Sequence, residues 1–155
     1  IGGYGHDDRS CAFAELKAIL ELETPERTAV CILADKEETG SDGVTGMLSQ
    51  AFDTFMEDLC AEQNVPVRRC FEKSFCISAD VCNGYDPLYP EARAELGKVD
   101  QGGGGTIAKY MANRNIETID AGVPVLSMHA PFEIVAKFDC YMTYKGVAAA
   151  YGAEN

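Results

Sequence analysis

Apolar positions along this chain fall into two alternating rhythms, a helical spacing and short unbroken runs. Ala12, Phe13, Leu16, Ile19 and Leu20 keep helical spacing and predict a helix over 9–23, which Pro25 stops. Thr28 to Ala34 is a short apolar, partly β-branched run that fits a buried strand ending near Asp35. The polar segment from Asp35 to Gly43 is then a loop at a strand's carboxyl end, the usual place for chemistry in open α/β sheets. From Val44 to Asn64 the apolar residues Met47, Leu48, Ala51, Phe52, Phe55, Met56, Leu59 and Cys60 form one stripe, so this segment predicts a long helix with its Met and Phe side chains in the core. Phe75 to Ser78 reads as a strand that delivers Asp80, and Cys82 to Pro90 as a loop. Gly102 to Gly105 opens a helix at Ile107, followed by strand candidates at 116–119 and 123–128, the second ending at His129. A last helix over 132–151 carries Ile134, Val135, Phe138, Tyr141 and Met142. This alternation is the signature of an α/β fold.

A length of 155 residues and an apolar fraction of 46% suit one domain, 1–155. The 25 acidic and 13 basic residues leave a net charge of -12, which repels phosphate backbones and anionic lipid, so neither nucleic acid nor a membrane surface is an expected partner. Carboxylates are also ligands for divalent cations, and composition alone does not choose between solubility and metal binding. Seven cysteines, an odd number without a CxxC pair, read as reduced thiols acting as small hydrophobes. The chain opens with no charged-then-apolar signal and contains no apolar stretch near the roughly 18 residues that a membrane span requires. Cytoplasmic location is the resulting expectation. A start at Ile1 instead of Met suggests a processing or cloning boundary.

Strand ends and loops deliver Asp7, Glu37, Glu38, Asp80 and His129, each beside an apolar segment that can hold it. Carboxylate oxygen and imidazole nitrogen are what zinc accepts, and adjacent glutamates suit a division of labour in which one binds metal and the other moves a proton. A doubled glutamate in a loop is normally just solvated surface, so from the pattern alone the metal signal is weak. The glycine tract lacks the Gly-Lys-Ser/Thr ending of a phosphate-binding loop, which argues against a nucleotide site.

His6-Asp7-Asp8-Arg9, Asp35 to Ser41, Ser78-Ala79-Asp80, Gly103 to Ile107 and Ser127-Met128-His129-Ala130 resemble, in order and context, the motifs of the aspartyl aminopeptidase (aminopeptidase I) family, in its bacterial form. The resemblance covers most of the chain. It implies a zinc-exopeptidase (phosphorylase/hydrolase-like) catalytic domain, with a central mixed β-sheet flanked by helices on both faces. It implies two Zn2+ ions per site, with Co2+ or Mn2+ as alternatives. In that scheme Asp7 bridges both ions, Glu38 and His129 complete one, and Asp80 binds the other. Glu37 matches the general base that takes a proton from the attacking water and returns it to the leaving amine. Substrates are then peptides with a free N-terminus, and the complete protein is a homo-oligomer. His6 and Asp8 either orient the bridging aspartate or are plain loop residues, and Asp35 is open to the same two readings.

The chain also departs from the family. Complete members carry, before the motif matched by Asp7, a segment with a further metal-ligating histidine and an inserted oligomerisation domain, whereas the histidines here are His6 and His129. Between Pro90 and Gly97 family members have about a strand and a helix more, including basic residues that shape specificity. Such gaps expose edges or apolar faces that favour association. The alternative to an aminopeptidase is therefore a catalytically inactive, truncated member that acts as a structural or oligomer-associating fragment. A third reading is an acidic α/β binding module whose carboxylates are only surface charge.

Overall fold

The computed structural model describes residues 1–90 and 106–152. The glycine tract at 102–105 and the interval from Glu91 to Gly97 lie outside these residues. In chain order the elements are β1 (Gly2–Gly3), α1 (His6–Leu20), a 3-10 turn (Glu37–Thr39), α2 (Ala51–Glu62), α3 (Val67–Glu72), β2 (Phe75–Ser78), β3 (Cys82–Asn83), α4 (Thr106–Ala112), β4 (Glu117–Asp120), β5 (Pro124–Leu126), β6 (Glu133–Val135) and α5 (Lys137–Tyr151). They form two compact units. One comprises Ile1–Cys31 and the stretches that begin at Ser78 and Asp120; the other comprises Ile32–Ile77 and Thr106–Ile119.

The first unit holds a mixed sheet in the order β1-β6-β5-β3. Strands β3 and β5 run parallel, while β6 is antiparallel to both β5 and β1. Val123, Val125 and Val135 are buried at the sheet, and α1 packs against both β6 and α5. Helix α1 makes that contact through small residues, since Cys11, Ala14 and Ala18 are at most 3% exposed whereas Phe13, Leu16 and Leu20 are 41–75% exposed. The apolar stripe expected to face the core is therefore the outer face of α1. Gly122 permits a close approach between the segments after β2 and β4: a Cβ there would lie 1.6 Å from the Asp80 carbonyl oxygen. Asp80 is held beside that glycine by the Cys82 N–H, which donates to the Val123 carbonyl at 3.1 Å.

The second unit packs α2, α3 and α4 around Met47, Met56, Phe71, Met111 and Ile116, with Phe52, Leu59 and Cys70 partly buried against them. The Met and Phe stripe is largely core as expected, apart from Leu48, Ala51 and Phe55, which are exposed. Arg114 ties α2 to the end of α4. Its Nε donates to Asp53 Oδ1 at 2.7 Å, its Nη2 pairs with Asp53 Oδ2, and its Nη1 donates to the Tyr110 carbonyl at 2.9 Å. The guanidinium also lies 5.4 Å above the Phe52 ring. Arg114→Ala, which leaves a partly buried carboxylate without this fork, is expected to destabilise the second unit by about 1–3 kcal/mol in urea denaturation. An unchanged midpoint would show that the fork contributes nothing to stability.

Several expected elements differ. Thr28 to Ala34 joins no ladder among the described residues, and only the isolated bridge Asp35 to Gly46 follows it. Apolar, β-branched composition favours a strand, but a strand also requires a partner edge. The expected helix over 44–64 is confined to Ala51–Glu62, because 41–50 is folded into turns in which Thr45 Oγ1 donates to Asp35 Oδ2 at 2.6 Å and Leu48 N–H donates to the Ser41 carbonyl at 3.3 Å. The helix expected over 9–23 runs from His6 to Leu20, with non-helical backbone at Asp7 and Asp8. Its start is capped by Asp8 Oδ1, which accepts the Cys11 N–H at 3.3 Å. The last helix begins only at Lys137, because Glu133–Val135 is the strand β6.

Candidate metal centre

In the first unit, Asp7 lies at the irregular start of α1 and His129 in the turn between β5 and β6. Their side chains meet: His129 Nε2 is 2.8 Å from Asp7 Oδ2, with the carboxylate 6% exposed and the imidazole 62% exposed. The pair therefore forms one wall open to solvent and one wall that is not. The Asp7–Asp8 peptide bond is cis.

One side chain underlies both segments. Glu133, 2% exposed, accepts the N–H of His6 at 2.6 Å and of Asp7 at 3.2 Å on Oε2, and the N–H of His129 at 2.8 Å on Oε1. Burial raises the Glu133 carboxyl, but the backbone N–H groups of His129, Asp7 and His6 outweigh it and hold it below the usual carboxylate range. The sequence reading missed Glu133 because its period-two neighbours were absorbed into a helix. Taken as a strand, Glu133 and Val135 share one face with Ile134 on the other, and a glutamate on the inward face was the available signal.

Asp8 is also drawn into this acidic neighbourhood. Burial pushes its carboxyl up to about 8, the Cys11 contact opposes this, and the carboxylates of Asp80 and Glu15 add repulsion. Asp80, half-buried, thus lies within electrostatic reach of the residue that follows Asp7. Crowded carboxylates with depressed acidity are what a cation would relieve, so the residues present fit a metal ion. His6 has a buried Nε2 without a hydrogen-bond partner among the described residues.

Glu15, farther along α1, is raised to about 7 by burial and accepts no hydrogen bond among the described residues. Because its folded value lies above the unfolded value of 4.5, its contribution is full below about pH 4.5 and is lost as pH rises to about 7. Glu15→Gln is accordingly expected to match wild type at pH 4 and to exceed it by roughly 2–3 kcal/mol at pH 8, measured by urea denaturation at both values. Equal stability at pH 8 would contradict the burial assigned to this carboxyl.

The second unit holds Glu37 and Glu38 on the 3-10 turn, with Glu37 half-buried and Glu38 exposed. Lys36 enters the turn at φ 66, Gly40 leaves it at φ 89, and Ser41 follows at φ 60. The turn is closed by Ser41 N–H, which donates to the Lys36 carbonyl at 2.7 Å. Among the described residues six non-glycine residues have positive φ: Asn64 and Asn115 just follow helices, where a left-handed asparagine is ordinary, and the other four are Lys36, Ser41, Ser127 and His129. Left-handed backbone at such residues is retained where surrounding contacts over-determine it, and such residues cluster at functional sites. Of the residues expected to act together, the fold joins Asp7 and His129 in one unit with Asp80 nearby, and sets Glu37 and Glu38 side by side in the other.

An α/β fold with a mixed sheet, an Asp–His pair at its loops and a glutamate doublet on a positive-φ turn suits the class of metal-dependent hydrolases. The chain belongs to one family within it. Residues 1–96 and 92–151 match the family described as aminopeptidase I zinc metalloprotease (M18). It is 36% identical over 208 residues to a probable M18 family aminopeptidase 1 of Borrelia garinii, an alignment covering 97% of this chain and 45% of that protein. Its fold is similar to the crystal structure of the Thermotoga maritima M18 aminopeptidase, with a TM-score of 0.85 and 31% identity over 97% of this chain and 46% of that one. The Clostridium acetobutylicum aminopeptidase I structure gives a TM-score of 0.82 at 33% identity, covering 99% of this chain and 44% of the other. The chain thus spans about 45% of the length of the curated relatives it matches. An alignment of 208 residues against a chain of 155 also means that the relative carries stretches without a counterpart here. The two family-matched stretches overlap at 92–96.

Proposed function

We propose that this chain is the catalytic portion of a metal-dependent aminopeptidase that releases N-terminal residues from peptides. The observation that carries the reading is the buried Asp7 carboxylate against His129, in a chain that belongs to a zinc metalloprotease family. Asp7 and His129 offer a carboxylate and an imidazole that suit a metal ion, and the family resemblance adds Glu38 to the ligands of that ion and assigns Asp80, with Asp7, to a second. Zn2+ is the metal expected from the family, with Co2+ or Mn2+ as alternatives; bound, it supplies Lewis-acid activation of water and stabilisation of developing negative charge.

The chain's own residues then divide the work. Asp7 and His129 fix the metal-facing wall, and the exposed imidazole leaves that wall open to an incoming peptide. Glu37, the residue before the proposed ligand Glu38, is assigned as the general base that accepts a proton from the attacking water and returns it to the leaving amine. A substrate's free α-amino group beside these carboxylates would restrict cleavage to the first peptide bond. Seven cysteines, an odd number without a CxxC pair, fit a reducing, cytosolic compartment, and homo-oligomeric assembly would be a property of the complete protein. No described helix is long and apolar enough to cross a membrane.

The stretches of the relatives without a counterpart here favour a second reading, an inactive member that acts by association. Aminoacyl p-nitroanilides separate the two when assayed beside their N-acetylated counterparts in the presence of zinc. Turnover of the free-amine form alone is expected. Equal turnover of both forms would exclude an exopeptidase, and turnover of neither would support the inactive reading.

A further inference from the structure

We propose that Glu133 is a positioning residue that locks the Asp7 and His129 segments into one arrangement before any metal binds. Its functional consequence rests on the metal-site reading above; its structural part does not. The two segments come from opposite ends of the chain and have no ladder between them: Asp7 sits at the broken start of α1, and His129 in a left-handed turn. An exposed imidazole has little packing to fix it, and a positive-φ backbone has alternatives nearby that any loosening would admit. The Glu133 carboxylate removes that freedom from below, with Oε2 on His6 and Asp7 and Oε1 on His129.

The sheet in turn fixes the carboxylate. Gly3 pairs with Glu133, Leu126 pairs with Ile134, and Val135 beside it is 2% exposed. A carboxylate is the side chain suited to this task, since both its oxygens are acceptors and neither carries a hydrogen toward the N–H groups. Glutamine would turn an amide N–H2 toward one of the two segments, and aspartate is one methylene too short to reach both.

The test uses the full chain as wild type, Glu133→Gln, Glu133→Asp and Val135→Ala. Zinc affinity is read by competition with a chromophoric chelator, and amide hydrogen exchange is read on the metal-free proteins. Both Glu133 variants are expected to bind zinc about 10–100-fold more weakly, the usual cost of losing a partner that orients ligands. The amides of His6, Asp7 and His129 should exchange at least about tenfold faster, while those of α2 and α3 keep their rates. Val135→Ala removes buried volume from the same strand without touching a hydrogen bond, so it should lower thermal stability and leave zinc affinity unchanged. Zinc affinity within about threefold of wild type in Glu133→Gln, or an equal loss in Val135→Ala, would overturn the proposal. If wild type takes up no zinc, the metal-site reading fails by itself; the exchange rates still decide the role of Glu133, with unchanged rates in both Glu133 variants overturning it.

Discussion

Glu37→Gln is expected to reduce aminopeptidase turnover by about 100–10 000-fold while bound metal stays at the wild-type level. Glutamine keeps the size of the side chain and the closed turn, in which Gly40 N–H donates to the Glu37 carbonyl at 3.0 Å, so the fold of the loop is preserved. It cannot accept a proton, and general-base transfer is the contribution that this substitution removes. Because Glu38, not Glu37, is the proposed ligand of the doublet, metal content and chemistry should separate cleanly. Steady-state kinetics with an aminoacyl p-nitroanilide, combined with elemental analysis of the same preparation, make the comparison. A fall in kcat at unchanged KM is the expected form. A variant with normal turnover would remove Glu37 from the mechanism, and one that also lost metal would recast it as a ligand.

The second large effect falls on metal binding. Asp7→Ala is expected to weaken zinc binding by more than about 100-fold, beyond what losing an orienting partner costs, because this carboxylate is proposed to serve both ions. His129→Ala should lose one ion and retain part of the other. The asymmetry is the useful readout: titration of zinc into the two variants should give no saturable site for Asp7→Ala and a residual weak site for His129→Ala. Equal losses would argue against a shared aspartate. Since Asp7 is bonded through its backbone N–H to Glu133, the alanine variant keeps its place in the chain and the fold should persist.

The family of this protein was more legible in its sequence than its packing. Asp7, Glu37, Glu38, Asp80 and His129 stood out as candidates chiefly because their flanking motifs resemble one family, since loop carboxylates beside apolar runs are by themselves ordinary surface. β2 was legible for a simple reason: a short, largely apolar run between the polar Lys73-Ser74 and Asp80 has few other uses. The first strand, expected at 28–34, was not, because composition reports a preference for extended backbone and says nothing about whether a partner edge exists. On α1 the hydrophobic period pointed to Phe13, Leu16 and Leu20, yet the packed face is Cys11, Ala14 and Ala18. Small side chains allow close helix approach, an effect that a ranking by hydrophobicity does not register. Glu133 shows the limit most plainly. A buried glutamate is rare and looks like a surface residue in sequence; only the three N–H groups converging on it reveal why it is inside.

Metal content of the purified chain, determined by elemental analysis after equilibration with zinc and removal of excess, is the most direct test of the central claim. Two ions per chain, accompanied by release of N-terminal residues from free-amine substrates, is the predicted result. A chain that retains no zinc at stoichiometric concentration and shows no thermal shift on adding it would contradict the metal centre and leave these carboxylates as surface charge.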